Sequence, residues 1–131
     1  MKYVCLVYLV ENDMSEMTKK EADACTDESL AYDDALRKAG HLIVAHALQP
    51  VESATTVRVR NGKLFATDGP FAETKEQLGG FILIDARDLN EAIQLASRIP
   101  PAAVGSIEIR PIRPIRETVR AQQIGETHGV R

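Results

Sequence analysis

Two strand-like stretches of this chain, residues 2–10 and 81–84, carry apolar side chains at both odd and even positions, the first of them from residue 4 onward. Successive side chains of a β-strand point to opposite faces of its sheet, so this pattern predicts strands that are buried on both faces. Helices packed on a small sheet cover one face, and the other face then needs a separate cover. The chain must therefore supply or recruit something that shields the second face.

Two helices are predicted between strand-like stretches. Thr18 and Glu21 have the spacing of a capping box, and small or apolar residues follow at helical steps until Gly40. The inward side of this helix is predicted to carry Ala22, Cys25, Ser29, Tyr32, Leu36 and Ala39. Asp88 has the position of an N-cap for a second helix, which Pro100 ends. Its predicted inward residues are Leu89, Ala92, Ile93, Ala96 and Ile99. Residues 11–18 are predicted as a polar connection.

The remaining patterns predict strands and one hairpin. Further strands are predicted over residues 41–49, 55–60, 63–67 and 106–110, and Asn61-Gly62 is typical of a two-residue hairpin turn. Without the hairpin, the order of elements is a split β-α-β. We therefore predict an α+β, ferredoxin-like βαββαβ fold with an inserted β-hairpin over residues 1–115. Residues 116–131 are predicted as a C-terminal tail, either flexible or helical only with a partner.

The second face of the predicted sheet raises the question of oligomeric state. An exposed apolar face larger than a few hundred Å² is rare on a soluble monomer. A second copy packed about a two-fold axis would cover it and form a homodimer. The alternative is that the hairpin or the tail folds over this face. We favour the homodimer because those segments are short and polar.

Composition narrows the classes of partner. The chain has 131 residues, with 16 basic residues against 19 acidic ones and no basic block, which argues against nucleic-acid binding. It shows neither a leader pattern nor an apolar run of about 18 residues, so we expect no membrane insertion and a cytoplasmic location. Cys5 and Cys25 are predicted as buried thiols. His41, His46 and His128 lack ligand spacing, so neither a metal nor another cofactor is expected.

Residues 68–80 form the segment most typical of a functional site. They read Asp-Gly-Pro-Phe-Ala-Glu-Thr-Lys-Glu-Gln-Leu-Gly-Gly and place a sharp turn and four ionisable side chains between two strands. Asp68 is a candidate catalytic carboxylate, or it accepts amides of its own bend in an Asx-turn. His46, mid-strand among alanines, is a candidate proton-transfer partner for Asp68. Alternatively, His46 is a buried histidine bonded to one backbone carbonyl.

The other candidates are ligand-binding positions: Gly69, Pro70, Phe71, Glu73, Lys75, Glu76 and Arg58. Glu73 and Lys75 share a face of an extended segment. They either hold an anionic ligand on the lysine or close the loop with an ion pair of ~0–1 kcal/mol. Arg58 and Arg60 share a strand face and form either a small anion patch or a solubilising surface. Gly79 and Gly80 indicate a bulge or a close backbone approach.

Residues 68–76 resemble the signature of the DGPF (DGPFAETKE) proteins of the YCII-related superfamily. The resemblance extends to Ala47-Leu48-Gln49-Pro50, to Thr56-Val57-Arg58 and to residues 105–111. It implies a dimeric α+β barrel of ferredoxin-like protomers in a mostly uncharacterised bacterial group. Some members are encoded beside extracytoplasmic-function sigma factors. The wider group has been proposed to carry a cleft built on a histidine–aspartate pair.

Three functional hypotheses follow from these residues. The first is a cofactor-free cleft that binds an unknown small molecule, with Asp68 and His46 handling protons. The second is a non-catalytic accessory or regulatory module, linked to sigma factors as the resemblance implies. The third is a structural dimer whose motif serves folding.

Overall fold

The computed structural model describes residues 1–116. Six strands, three α-helices and two short 3-10 helices follow one another in this range. The strands are β1 (Lys2–Leu9), β2 (Leu42–Ala47), β3 (Thr55–Arg60), β4 (Lys63–Asp68), β5 (Gln77–Asp85) and β6 (Ser106–Pro111). The helices are α1 (Glu11–Ser15), α2 (Lys19–Lys38) and α3 (Leu89–Ala96), and the 3-10 helices are Val51–Ser53 and Pro100–Ala103. The predicted C-terminal tail lies outside the described residues, apart from Arg116.

Four of the strands form one antiparallel sheet in the order β2-β5-β1-β6, which we call the main sheet. With α2 after β1 and α3 after β5, this is an α+β arrangement compatible with a ferredoxin-like fold. Strands β3 and β4 pair with each other in a separate two-stranded sheet, which we call the hairpin. Its turn residues, Asn61 and Gly62, both have positive φ (51° and 74°), as a tight turn of this kind requires.

The core lies between the main sheet and the two longer helices. Cys5 in β1 is opposite Ile82 in β5 and Ile109 in β6, and it is fully buried. The buried side chains belong to both layers: Tyr3, Cys5, Val7, Ile82 and Ile84 from the sheet, with Leu36, Ala86, Ala92, Ala96 and Ile99 from the helices and connections. Both helices therefore cover the same face, as predicted.

The other face of the main sheet, which we call the open face, is also apolar. Val4 is paired with Leu83, and Leu6 with Phe81, and all four side chains are half-buried. Tyr8 and Val44 continue this surface. Neither the long helices nor the hairpin packs broadly across it within residues 1–116. The two-faced apolar character predicted from the sequence is thus present, while the cover supplied by a second copy stays a prediction.

The predicted helix starts are confirmed. The Thr18 hydroxyl accepts the backbone N–H of Glu21 at 3.1 Å, and the Glu21 carboxylate accepts the Thr18 N–H at 2.9 Å. The two Thr18 bonds hold the pKa of the Glu21 carboxyl below its usual range. Asp88 caps α3 by accepting the N–H of Glu91 at 2.9 Å.

The predicted inward faces of the helices were partly wrong. Three predicted inward residues of the first helix are exposed: Ala22 and Cys25 in α2, and Ala39 at its C-terminal end. In α3, Leu89 and Ile93 are exposed as well. Helix α2 has 20 residues, about 30 Å, whereas the six residues of β2 beside it span about 20 Å, so part of the helix extends beyond the sheet.

The two cysteines differ, contrary to the prediction that both are buried. Cys25 is exposed on α2, whereas Cys5 is buried, and burial raises the pKa of its thiol to about 11. Two segments were also misassigned: residues 11–15 form a helix, and β5 begins at Gln77 rather than Phe81. The two glycines before Phe81 weaken the strand pattern, but pairing with β1 and β2 keeps them in the sheet.

Candidate functional site

Among the cavities formed by residues 1–116, two lie on opposite sides of the main sheet and are considered as sites. The first, of about 350 Å³, lies between α2 and the sheet, and we call it the helix cavity. The second, of about 580 Å³, lies between the end of the sheet and the base of the hairpin, and we call it the hairpin cavity. They differ in the chemistry of their walls.

The helix cavity combines an apolar floor with polar walls. Val7, Ile82 and Ile99 form its floor. Its polar side chains come mainly from one side of α2, where Thr26, Ser29 and Asp33 follow at helical steps. His46 of β2 borders this cavity with its backbone, but its side chain lies on the open face, because His46 is paired with Phe81 and Phe81 with Leu6. The imidazole is exposed and lies beside the ring of Phe81, with ring centroids 5.8 Å apart.

Gly80 and Gly79 let the strands close up around this cavity. A Cβ atom on Gly80 would lie 2.8 Å from the carbonyl oxygen of His46, so only glycine permits this approach of β5 to β2. At Gly79 the register of β1 and β5 shifts between Val7 and Tyr8, which is a β-bulge. The glycine pair serves both roles predicted for it.

Asp33 is the titratable residue that the sequence analysis missed. It is half-buried in the helix cavity, and this burial raises the pKa of its carboxyl, against a smaller opposing effect of Arg37. A carboxyl with a raised pKa in a cleft is a candidate functional group. The available signal was its position on α2, four residues after Ser29 and three before Leu36, on the predicted inward side.

The hairpin cavity is lined by residues of three segments. Tyr8 and Leu78 come from the main sheet, Val51 from the β2–β3 connection, and Pro70 and Phe71 from the predicted motif. Its polar lining consists of hydroxyl and amide side chains, and among residues 1–116 no Asp, Glu, His, Lys or Arg lines this cavity. Phe71 is 80% exposed, the largest exposed fraction among the big apolar side chains of the described chain.

The motif is fastened to β3 by backbone hydrogen bonds. Gly69 has φ of 97° and donates its N–H to the carbonyl of Ala54 at 2.7 Å. The Thr56 hydroxyl donates to the carbonyl of Gly69 at 2.8 Å. On the far side, Glu11 of α1 accepts the N–H of Val51 at 3.1 Å. These bonds fix the walls of the hairpin cavity.

Asp68 lies at the end of β4, opposite Thr55, and is exposed. Its carboxylate accepts no hydrogen bond from residues 1–116, so the Asx-turn considered for it does not form. Asp68 lines neither cavity, whereas the imidazole of His46 lies on the open face beside Phe81. The structure therefore does not bring these two residues to one cavity. His46 was also considered as a buried histidine bonded to a backbone carbonyl, but it is exposed. A contact of that kind is made by His41, whose Nδ1 lies 2.8 Å from the carbonyl oxygen of Asp85.

The other charged residues of the motif point to the surface or to a local partner. Glu73 and Lys75 are exposed and form no ion pair with each other in this part of the chain. Glu76 is half-buried and accepts the hydroxyl of Ser106 at 2.7 Å, which joins the motif to the start of β6. Arg58 is exposed on the hairpin, opposite Phe65.

Two further properties concern the described range. No group of three or more His, Cys, Asp or Glu side chains in residues 1–116 is placed to hold a metal ion. Among the helices described, none has the length and apolar character needed to cross a membrane.

The fold and the two cavities define a small α+β protein with one helix-covered antiparallel sheet. The chain belongs to the YCII-related family, because the model of the YCII-related domain matches residues 1–116. It is also similar to the uncharacterized protein R00369 of Rhizobium meliloti (strain 1021). The two are 39% identical over 114 residues, which cover 86% of this chain and 92% of that protein. Neither description names an activity.

Proposed function

We propose that this protein binds a small molecule in the helix cavity and that the cavity has the character of an enzyme site. The observation that carries the proposal is that Asp33, a half-buried carboxyl, and the hydroxyls of Thr26 and Ser29 line one cavity with an apolar floor. Ligand sites in proteins are typically apolar clefts with a few convergent polar groups. The composition of this cavity fits that description.

The wall chemistry favours an amphipathic ligand. Its apolar part would lie on Val7, Ile82 and Ile99, and its polar part against Thr26, Ser29 and Asp33 of α2. A carboxyl with a raised pKa in a cleft is suited to general acid–base catalysis. Asp33, whose carboxyl keeps its proton more readily than usual, would donate a hydrogen bond in one protonation state and accept one in the other.

We also propose that the protein works as a homodimer, each protomer contributing one half of a dimeric α+β barrel. The apolar side chains of the open face support this, since they have no broad cover within residues 1–116. A two-fold axis would place the open faces of two copies against each other.

The test is a thermal-shift screen of small molecules against the wild-type chain, Ser29→Ala, Asp33→Asn and Phe71→Ala. A ligand of the helix cavity should raise the melting temperature of the wild type and of Phe71→Ala. The shift should shrink or vanish in the Ser29 and Asp33 variants. A ligand whose shift is lost only in Phe71→Ala would contradict the proposal and assign binding to the hairpin cavity. If no compound shifts the wild type while a protein partner co-purifies with it, the proposal is also overturned.

A second candidate function is binding without turnover in the hairpin cavity. Its support is specific: motif residues Pro70 and Phe71 line an apolar cavity that no charged side chain of the described residues lines. The catalytic role of Asp68 stays a prediction, and Asp68→Asn should abolish any turnover found by screening while leaving the fold intact. A regulatory link to sigma factors likewise stays a prediction.

A further inference from the structure

The hairpin has two chemically different faces. Side chains opposite each other across the ladder share a face, so Val57, Val59, Leu64 and Ala66 form one side. Arg58, Arg60, Lys63 and Phe65 form the other. On the first side, Val57, Val59 and Leu64 are 60%, 59% and 69% exposed. The hairpin is therefore amphipathic, with its apolar face in contact with water.

A two-stranded hairpin of this kind is not stable by itself. Isolated hairpins are marginal in water and need a third strand or another layer to pack against. The bonds that join its base to the Ala54–Gly69 region orient the hairpin but leave its apolar side uncovered by any element of residues 1–116. Its other face carries three cations and is suited to solvent.

Within residues 1–116, one other broad apolar surface lacks a cover, the open face. We propose that the hairpin is a dimerisation arm whose apolar face packs on the open face of a second copy of this chain. This proposal rests on the homodimer proposed above. In a two-fold arrangement the hairpin of each copy covers part of the open face of the other copy, and the remaining parts of the two open faces pack against each other.

The estimated area of the dimer interface favours a dimer in which both hairpins form part of that interface. Two strands of six residues present a face of about 200 Å², and the four strands of the main sheet about 400 Å². Two sheet faces alone would bury about 800 Å² in total, which is the range of crystal contacts. With both hairpins the total is about 1,200 Å², the lower limit of stable, specific interfaces. The arm thus contributes the difference between a weak and a stable dimer.

The first experiment measures the dimer dissociation constant by analytical ultracentrifugation. Val57→Thr with Leu64→Thr keeps β-propensity but makes the arm polar, so the constant should rise about 100-fold or more. Arg60→Ser with Lys63→Ser, on the opposite face, is the matched control and should change it little. Circular dichroism spectra checked in parallel should be unchanged, since these side chains are exposed in the single chain.

A cross-linking experiment tests where the arm docks. In a Cys25→Ser background, the buried Cys5 remains as an unreactive thiol. Chains carrying Leu64→Cys are mixed with chains carrying Leu6→Cys on the open face, and a disulfide between the two chains is expected.

The outcomes separate this proposal from the one on ligand binding. If the threonine variant dimerises as tightly as the wild type, the arm is refuted while the homodimer stands. If the wild type is monomeric at micromolar concentration, both the arm and the homodimer are refuted. If a single chain carrying both cysteines forms an intrachain disulfide as a monomer, the hairpin covers its own sheet and the arm is refuted. None of these results alters the thermal-shift test of the helix cavity.

Discussion

The helix-covered side of the main sheet and the hairpin use similar apolar residues with opposite results. Ile84 of β5 is 1% exposed and lies in a core closed by two helices of the same chain. Leu64 of β4 is 69% exposed, although its neighbours on that face are also apolar. The difference shows that the part of the chain formed by β1, β2, β5, β6 and the helices completes its own core. The hairpin does not.

The largest expected effect tests this contrast in stability. Ile84→Ala removes a fully buried side chain and should lower the free energy of unfolding by about 3–4 kcal/mol. Leu64→Ala, measured by urea unfolding at the lowest usable protein concentration, should lower it by less than about 0.5 kcal/mol. At high concentration the Leu64 effect should grow, because dimerisation stabilises the folded state. If Leu64→Ala lowered the free energy of unfolding as much as Ile84→Ala does at every protein concentration, Leu64 would already be buried within one chain.

Glycine substitutions provide the second contrast. A Cβ atom on Gly105 would overlap the carbonyl oxygen of Tyr8, so Gly105→Ala forces strands β6 and β1 apart. We expect a cost of about 1–3 kcal/mol. Gly62 in the hairpin turn has free space around it and is constrained only by its positive φ of 74°. Gly62→Ala should cost about 1 kcal/mol, and Gly62→Asn less.

The Asn variant is the informative control for that contrast, since Asn tolerates positive φ but not a steric overlap. Gly62→Asn should recover most of the lost stability, whereas Gly105→Asn should be no better than Gly105→Ala. Recovery at Gly105 would mean that backbone conformation, and not space, limits that position. Chemical unfolding of the four variants checks both expectations.

The capping box makes a smaller contribution on the helix side. Thr18→Ala removes the hydroxyl that accepts the Glu21 N–H, and it should cost about 1 kcal/mol. The folded-state pKa of Glu21 is lowered by its bonds to Thr18. The stabilisation from Glu21 is therefore present above its ordinary pKa and is lost as the pH falls through the lowered value. Unfolding of Glu21→Gln across acidic pH measures this loss, and a difference from wild type that grows on acidification would contradict it.

The sequence predicted the fold well where local and long-range preferences agree. Thr18, Glu21 and Asp88 are local signals, and the structure shows their hydrogen bonds. The two-faced apolar strands were also read correctly. The sequence did not predict that α2 extends beyond the sheet, because exposure of Ala22 and Cys25 depends on the relative lengths of two elements. The periodicity of apolar residues shows which side of a helix is apolar, but it does not show how far the neighbouring strand extends along that helix.

The candidate site was harder to predict because it depends on which elements meet. Asp68 and His46 looked like a pair in the sequence, yet they line no common cavity. The packing of α2 on the sheet places Asp33 in the same cavity as residues of β2. No spacing in the sequence encodes that arrangement. The motif residues that line the hairpin cavity are uncharged, Pro70, Phe71, Ala72 and Thr74, and the charged residues of the motif do not line it.

The smallest predicted effect compares two adjacent carboxyls of α2 with opposite environments. Burial raises the pKa of Asp33, so its ionised form opposes folding. Hydrogen bonds and attraction from Lys38, with a contribution from Arg37, lower the pKa of Asp34, so its ionised form favours folding. Asp33→Asn should therefore raise the melting temperature at neutral pH, and Asp34→Asn should lower it, both by less than the loss of the cap.

The differences in melting temperature between these two variants and the wild type should depend on pH. Both differences should shrink on acidification. For Asp33 the difference should be absent below the ordinary carboxyl pKa, where the wild-type side chain is protonated in both states. For Asp34 it should disappear only below its lowered folded-state pKa. Differential scanning fluorimetry across acidic to neutral pH measures both variants in one experiment. A shift of the same sign for both would show that helix propensity dominates, and that the helix cavity does not set the protonation of Asp33.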